Sequence, residues 1–293
     1  MNTERIHFYS EGDRLAGMVY LPAGSAEKSA GIVLCHGFTG IKESILPQYA
    51  EAFVEAGFAA LTFDYRGFGE SDGRRGRLLW QEQAADIRNA VTYITTRAEV
   101  DPQRIGLWGT SYGGALAPYA FALDERVKAC VGQLGFGDAY SAVADRMPPE
   151  QIATFLEMVE QDRRQRVLHN DPMYGDAMAL AGDPEMTAFF EEEAKRLPQL
   201  EGREIMLQFL EAHLEFSPVE VIHKKGGRAL LLIGAELDVV CPIDNYKALF
   251  DKAPEPKKWI VFEGTRHFEF YEGEPAKRSA AEAVNFYTEH LGM

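Results

Sequence analysis

Short apolar runs recur along the chain with the length and composition of buried β-strands: Gly31–Cys35, Ala59–Phe63, Ile105–Trp108, Ala129–Leu134, Ala229–Gly234 and Lys258–Phe262. Helical spacing fills the intervals between the first of them, and strands that alternate with helices predict a mostly parallel sheet covered on both faces. Two earlier runs, Ile6–Ser10 and Leu15–Pro22, flank Glu11-Gly12-Asp13-Arg14 and read as an N-terminal antiparallel hairpin. From Pro275 to Leu291, Ala280, Ala283, Val284 and Tyr287 recur at helical spacing and predict a closing helix. The fold class is α/β.

After Leu134 the strand rhythm stops. From about Ala139 to His223 the pattern is helical, with Ile152, Phe155, Leu156 and Val159 on one stripe and Ile205, Phe209, Leu210 and Leu214 on another. An insertion between two late strands is most simply a helical cap folded over the sheet. The expected organisation is a core of residues 1–138 and 224–293 and a cap of residues 139–223.

One junction in this rhythm carries chemistry. Gly109-Thr110-Ser111-Tyr112-Gly113 lies between the apolar run ending at Trp108 and a small-residue helix start, Gly114-Ala115-Leu116-Ala117. Strand, sharp turn and helix together form the setting in which the serine of G-x-S-x-G becomes a nucleophile. Glycines two residues either side leave room where strand and helix approach, and the helix start offers unbonded backbone N–H groups beside the serine. Pro118 removes a backbone donor from that helix. A second match, Gly69-Glu70-Ser71-Asp72-Gly73, follows its strand too late and leads into the loop Arg74-Arg75-Gly76-Arg77, so Ser71 lacks the context.

A serine nucleophile needs a histidine base and usually a carboxylate that fixes the histidine tautomer. Seven histidines compete: His7, His36, His169, His213, His223, His267 and His290. His267 lies just past the last apolar strand, on a loop leaving the carboxyl end of the sheet, where open α/β sheets bind ligands. Asp238 occupies the equivalent loop after Ala229–Gly234, ahead of its neighbours Glu236 and Asp244. The N–H groups of Phe38, in the loop His36-Gly37-Phe38, and of Tyr112 are the expected oxyanion donors, with His36 in a structural role.

Taken together, His36-Gly37-Phe38, Asp64-Tyr65-Arg66-Gly67-Phe68-Gly69, the Gly109–Gly113 elbow, Asp238 with Pro242, and His267 resemble the α/β-hydrolase family, with the order Ser, Asp, His. The resemblance covers nearly the whole chain outside the insertion. The elbow and the opening hairpin look similar to the prolyl-oligopeptidase, X-prolyl dipeptidyl-peptidase and dienelactone-hydrolase branches. Two departures matter: the chain has no room for the extra large domain of those peptidases, and it has Ser111 where dienelactone hydrolases use cysteine.

Composition narrows the function further. A formal net charge of −15 argues against nucleic acid or an anionic membrane as partner. The clusters Arg74-Arg75-Gly76-Arg77 and Arg163-Arg164-Gln165-Arg166 read as solvated faces. Cys35, Cys130 and Cys241 lie in or at the end of apolar runs, as reduced, buried thiols. No C-x-x-C or H-E-x-x-H signals a metal, and acyl transfer of this type needs neither metal nor organic cofactor. With no signal segment or spanning run in the sequence, the expected compartment is the cytoplasm.

The expected activity is hydrolysis of a carboxylic ester or related acyl substrate with a moderately bulky apolar part, through an acyl-enzyme on Ser111. Phe155, Met158, Phe189, Phe190, Met206 and Phe209 of the cap are the candidate lining of the acyl pocket. The same fold also serves C–C hydrolases, thioesterases, amidases and acyltransferases, and a non-catalytic ligand-binding protein is the competing class. An apolar stripe on the cap fits either lid packing or a homodimer.

Overall fold

The computed structural model describes residues 1–24, 27–144, 148–200 and 203–292. Strands β1 (Asn2–Ser10) and β2 (Asp13–Leu21) form the N-terminal hairpin, and Ser10 pairs with Asp13 across a two-residue turn. Next come β3 (Ser29–Cys35), α1 (Leu46–Glu55), β4 (Ala59–Phe63), α2 (Trp80–Thr95), β5 (Val100–Thr110), α3 (Tyr112–Leu123) and β6 (Val127–Gln133).

The stretch from 139 to 223 follows, with α4 (Ala139–Ala144), α5 (Pro149–His169), β7 (Tyr174–Asp176), α6 (Ala177–Ala181), α7 (Pro184–Arg196), β8 (Glu204–Met206) and α8 (Gln208–Leu214). The chain then returns to the sheet through β9 (Ala229–Ala235), α9 (Ile243–Lys252), β10 (Lys257–Phe262) and α10 (Gly273–Leu291).

Eight strands make one sheet in the order β1-β2-β4-β3-β5-β6-β9-β10. The β1/β2 and β2/β4 pairs are antiparallel, and every later pair is parallel. Helices α2 and α3 pack on one face with Leu107 and Leu230, while α1 and α10 pack on the other with Trp108 and Leu231. Neighbouring residues of one strand thus enter opposite cores, as the two-residue period requires. Strand order reverses between β3 and β5, so their carboxyl ends flank the crevice in which open α/β sheets bind ligands.

Two local expectations are corrected. Ile205 lies in β8, which pairs antiparallel with β7, rather than on a helical stripe with Phe209, Leu210 and Leu214. A three-residue strand shows no periodicity, and its partners are distant in sequence: the Met206 N–H donates to Gly76 O at 2.8 Å. On α5, Val159 is buried but Leu156 is 48% exposed, so the apolar stripe is narrower than its spacing implied. Pro118 lies inside a continuous α3, where its missing N–H would leave Gly114 O without a helical partner. The Tyr246 hydroxyl donates to that carbonyl at 2.9 Å, which explains why the proline is tolerated.

A buried ion pair ties the loop after β4 to α2, and Ser10 joins the hairpin to it. Arg66 donates from Nη2 to Asp86 Oδ1 at 2.6 Å and from Nε at 3.0 Å, and Ser10 Oγ donates to the same oxygen at 2.5 Å. Asp86 is fully buried. Replacing Asp86→Ala strands the Arg66 guanidinium in the interior, and a urea titration is expected to show a loss of about 3–5 kcal/mol.

Candidate active site

Ser111 stands at the β5/α3 junction with φ +56° and ψ −123°, a conformation that a non-glycine residue adopts only under constraint. A Cβ at Gly109 would lie 2.1 Å from Gly113 O, and one at Gly113 would lie 2.2 Å from Cys35 O. Both contacts are with backbone and cannot relax, so glycine at both positions is what lets strand and helix meet at this angle. The Ser111 N–H donates to Gln133 O at 3.0 Å, which pins the turn to β6.

The second motif is used differently. Ser71 is fully buried, donating to Asp64 O at 2.6 Å and accepting from the Ala16 N–H at 2.9 Å, so its hydroxyl fastens a loop to β2.

The loops after β9 and β10 bring an acid and a base together. His267 Nδ1 lies 2.7 Å from Asp238 Oδ2, and both side chains are 1% exposed. The other carboxylate oxygen accepts the N–H groups of Val240 at 2.9 Å and Cys241 at 2.8 Å. Those bonds fix the carboxylate, so the proton resides on Nδ1 and Nε2 is left as an acceptor. Glu236 instead accepts from the Gly264 N–H at 2.8 Å, and Asp244 lies in the first turn of α9.

Tyr271 connects this pair to the serine turn. Its hydroxyl is 3.4 Å from His267 Nε2 and 3.1 Å from Thr110 Oγ1, the residue before Ser111. Gln133 Nε2 donates to the same threonine hydroxyl at 3.2 Å.

On the other side of Ser111 runs the loop after β3. A Cβ at Gly37 would lie 2.9 Å from Ser111 Cβ, so the backbone leading into Phe38 passes directly against the serine. Tyr112 is the first residue of α3, where backbone N–H groups have no partner within the helix. His36 has the structural setting: its Nδ1 donates to Gly37 O at 2.9 Å, and its ring packs edge-on to Tyr65 at 4.5 Å. Burial, assisted by the nearby cations Arg203 and Lys42, lowers its pKa to about 4.

Ser111 opens onto two spaces. The larger cavity, of about 510 Å³, is walled by Phe38, Tyr112, Phe136, Phe155, Phe209 and His213 among others. The smaller, of about 20 Å³, lies toward Phe189, Phe190, Phe268 and Tyr271, and that volume holds about one water molecule. Of the residues expected to line an acyl pocket, Phe155 and Phe209 face the large cavity and Phe189 and Phe190 the small one. Met158 and Met206 line neither; Met206 is 1% exposed within the core packing around β8.

Met186 borders both spaces, and the Asp183 side chain caps its helix, α7, by accepting the Met186 N–H at 2.7 Å. Nothing local in the sequence marks Met186, Tyr271 and Phe136 as lining residues, and His213 stands out there only as one of seven histidines.

Several arginines of the two basic clusters have carboxylate partners. Arg77 bonds Glu82, Arg164 bonds Glu160, and Arg166 bonds Asp162 and Glu211. Cys35, Cys130 and Cys241 are buried, with no disulfide among them, and burial pushes the Cys35 thiol up to about 12. Among the described residues, no cluster of three or more His, Cys, Asp or Glu is arranged to hold a metal ion, and no helix is long and apolar enough to cross a membrane.

The chain is similar to known proteins over most of its length. A model of the alpha/beta hydrolase fold matches residues 32–274. An uncharacterized 31.7 kDa protein of the traX-finO intergenic region of Escherichia coli is 37% identical over 286 residues, covering 97% of this chain and 98% of its own. A polyketide transferase of Penicillium sp., grgF, is 28% identical over 271 residues, covering 90% and 88%. The crystal structure of the alpha/beta hydrolase GrgF from Penicillium sp. sh18 superposes with a TM-score of 0.86 at 25% identity over 100% of both chains. A thiohydrolase of Eupenicillium brefeldianum is 26% identical over 276 residues, covering 90% and 86%.

The buried His36 gives the fold a pH dependence. Unfolded, its ring takes up a proton near pH 6.5; folded, only near 4. Between those values the unfolded chain binds more protons, so stability is complete above pH 6.5 and declines as pH falls toward 4, by up to about 3 kcal/mol from this group. Melting temperatures measured from pH 7 to 4 are expected to fall less steeply in His36→Gln than in the wild type, and equal slopes would contradict a buried neutral ring.

Proposed function

The chain belongs to the alpha/beta hydrolase fold family, and on that premise we propose that it is a serine hydrolase that passes an acyl group through a covalent intermediate on Ser111. The observation that carries this reading is the buried His267–Asp238 pair, joined through Tyr271 to the strained turn that presents Ser111. In this reading residues 139–223 act as a cap over the sheet.

Ser111 Oγ attacks the acyl carbon while its proton passes to His267 Nε2, and Asp238 stabilises the resulting imidazolium through Nδ1. The developing oxyanion is bonded by the N–H groups of Phe38 and Tyr112, each such donor being worth about 10²–10³ in rate in comparable sites. His267 then gives its proton to the leaving group. A water deprotonated by the same nitrogen attacks the acyl-enzyme, and the acid departs as Ser111 recovers its proton.

The aromatic walls of the large cavity fit a bulky, mainly apolar acyl chain. Relatives named thiohydrolase and polyketide transferase support extended acyl thioesters beside oxygen esters as substrates. The transferase name also favours a second reading, in which an acceptor other than water takes the acyl group.

Ser111→Ala is expected to lower turnover of p-nitrophenyl esters by at least about a thousandfold with little change in melting temperature. Wild-type turnover in that variant would overturn the assignment. Matched series of acyl p-nitrophenyl esters and acyl thioesters should show kcat/KM rising with acyl size beyond acetyl in the preferred series, and a preference for acetyl in both would contradict the pocket assignment.

A further inference from the structure

Thr39 is an unusual occupant of its position. The Gly40 N–H donates to Gly37 O at 3.2 Å, closing a turn with Phe38 and Thr39 at its centre. Thr39 has φ +50°, at the site where such turns ordinarily use glycine, and a β-branched side chain there is an outlier that its surroundings must enforce. One support comes from the core, where His36 Nδ1 donates to Gly37 O. The other comes from the inserted stretch. Arg203 Nη1 donates to Thr39 O at 2.5 Å and to Thr39 Oγ1 at 2.7 Å.

Arg203 is itself held. Its Nε donates to Leu200 O at 2.9 Å, and its guanidinium lies 4.1 Å from the centre of the Phe190 ring. It immediately precedes β8, which is fastened to the core through the Met206 N–H and Gly76 O. Burial lowers its pKa only to about 10, so the side chain is charged at neutral pH.

We infer that Arg203 is a positioning residue for the oxyanion site, a cation from the inserted stretch that fixes the Phe38–Thr39 turn and so aims the Phe38 N–H at the acyl oxygen. It touches neither substrate nor Ser111 and acts through Thr39. The inference rests on the proposed role of Phe38 and predicts a selective defect: transition-state stabilisation falls while ground-state binding persists. It also makes the inserted stretch a structural part of the catalytic apparatus as well as a wall of the pocket.

The test compares wild type with Arg203→Met and Arg203→Lys, well below their unfolding temperatures, on the same p-nitrophenyl ester. Two inhibitors are measured alongside: a trifluoromethyl ketone, whose serine adduct places an oxyanion in the site, and the product carboxylic acid. In Arg203→Met, kcat and ketone affinity should fall together by about 10- to 100-fold, short of or equal to the loss of one oxyanion donor, with KM and product affinity unchanged. Arg203→Lys should recover part of both through a single bond to Thr39.

Wild-type kcat and ketone affinity in Arg203→Met, or a loss confined to KM, would overturn the inference. Should Arg203→Met not fold, Arg203→Lys is paired with Thr39→Gly, since glycine adopts the positive φ without support. The double variant should regain the kcat that Arg203→Lys loses, and an undiminished loss would overturn the inference. Inactivity of Ser111→Ala beside a normal Arg203→Met would reject the role of Arg203 alone, whereas an active Ser111→Ala would reject the serine mechanism itself.

Discussion

The close approach of β5 and α3 is the constraint on which the site depends. With Gly109, Gly113 and Cys35 in backbone contact, there is no room for a relaxed connection, and the intervening residue is forced to φ +56°. Holding a non-glycine residue there costs about 1–3 kcal/mol, which the surrounding sheet and the Ser111 N–H bond to Gln133 must supply. The geometry sets Ser111 at the carboxyl end of a central strand, beside the reversal in strand order. The loops that carry Phe38, Asp238 and His267 leave the same edge of the sheet.

Those loops are fastened by polar contacts rather than by packing alone. Asp238 is held by two backbone N–H groups, His267 by Asp238, and Tyr271 spans from His267 to Thr110. The inserted stretch meets the same edge: Phe189 stacks on Phe268 at 4.9 Å, and Ser44 Oγ donates to Glu193 at 2.7 Å. Glu185 of α7 also pairs with Arg266, the neighbour of His267. The result is a serine between a large aromatic cavity and a space for about one water, with Met186 bordering both.

Much of this was legible in the chain. The strand rhythm, the hairpin turn and the closing helix all express regular periodicities, and the elbow is a contiguous motif whose glycines have a steric reason. Asp238 and His267 were readable because each follows an apolar run at the end where ligands bind, although sequence alone did not show that they meet. The two three-residue strands, β7 and β8, were not legible because their pairing is a long-range event without local pattern. Arg203 and Tyr271 were invisible because their partners, Thr39 and Thr110, lie far away in sequence.

The most direct measurement is peptide-resolved mass spectrometry after reaction with a fluorophosphonate. A single adduct on the peptide containing Ser111, forming far more slowly in His267→Ala, is the expected result. Stoichiometric labelling of another residue, or labelling of Ser111 at an unchanged rate without His267, would contradict a nucleophile activated by the buried histidine.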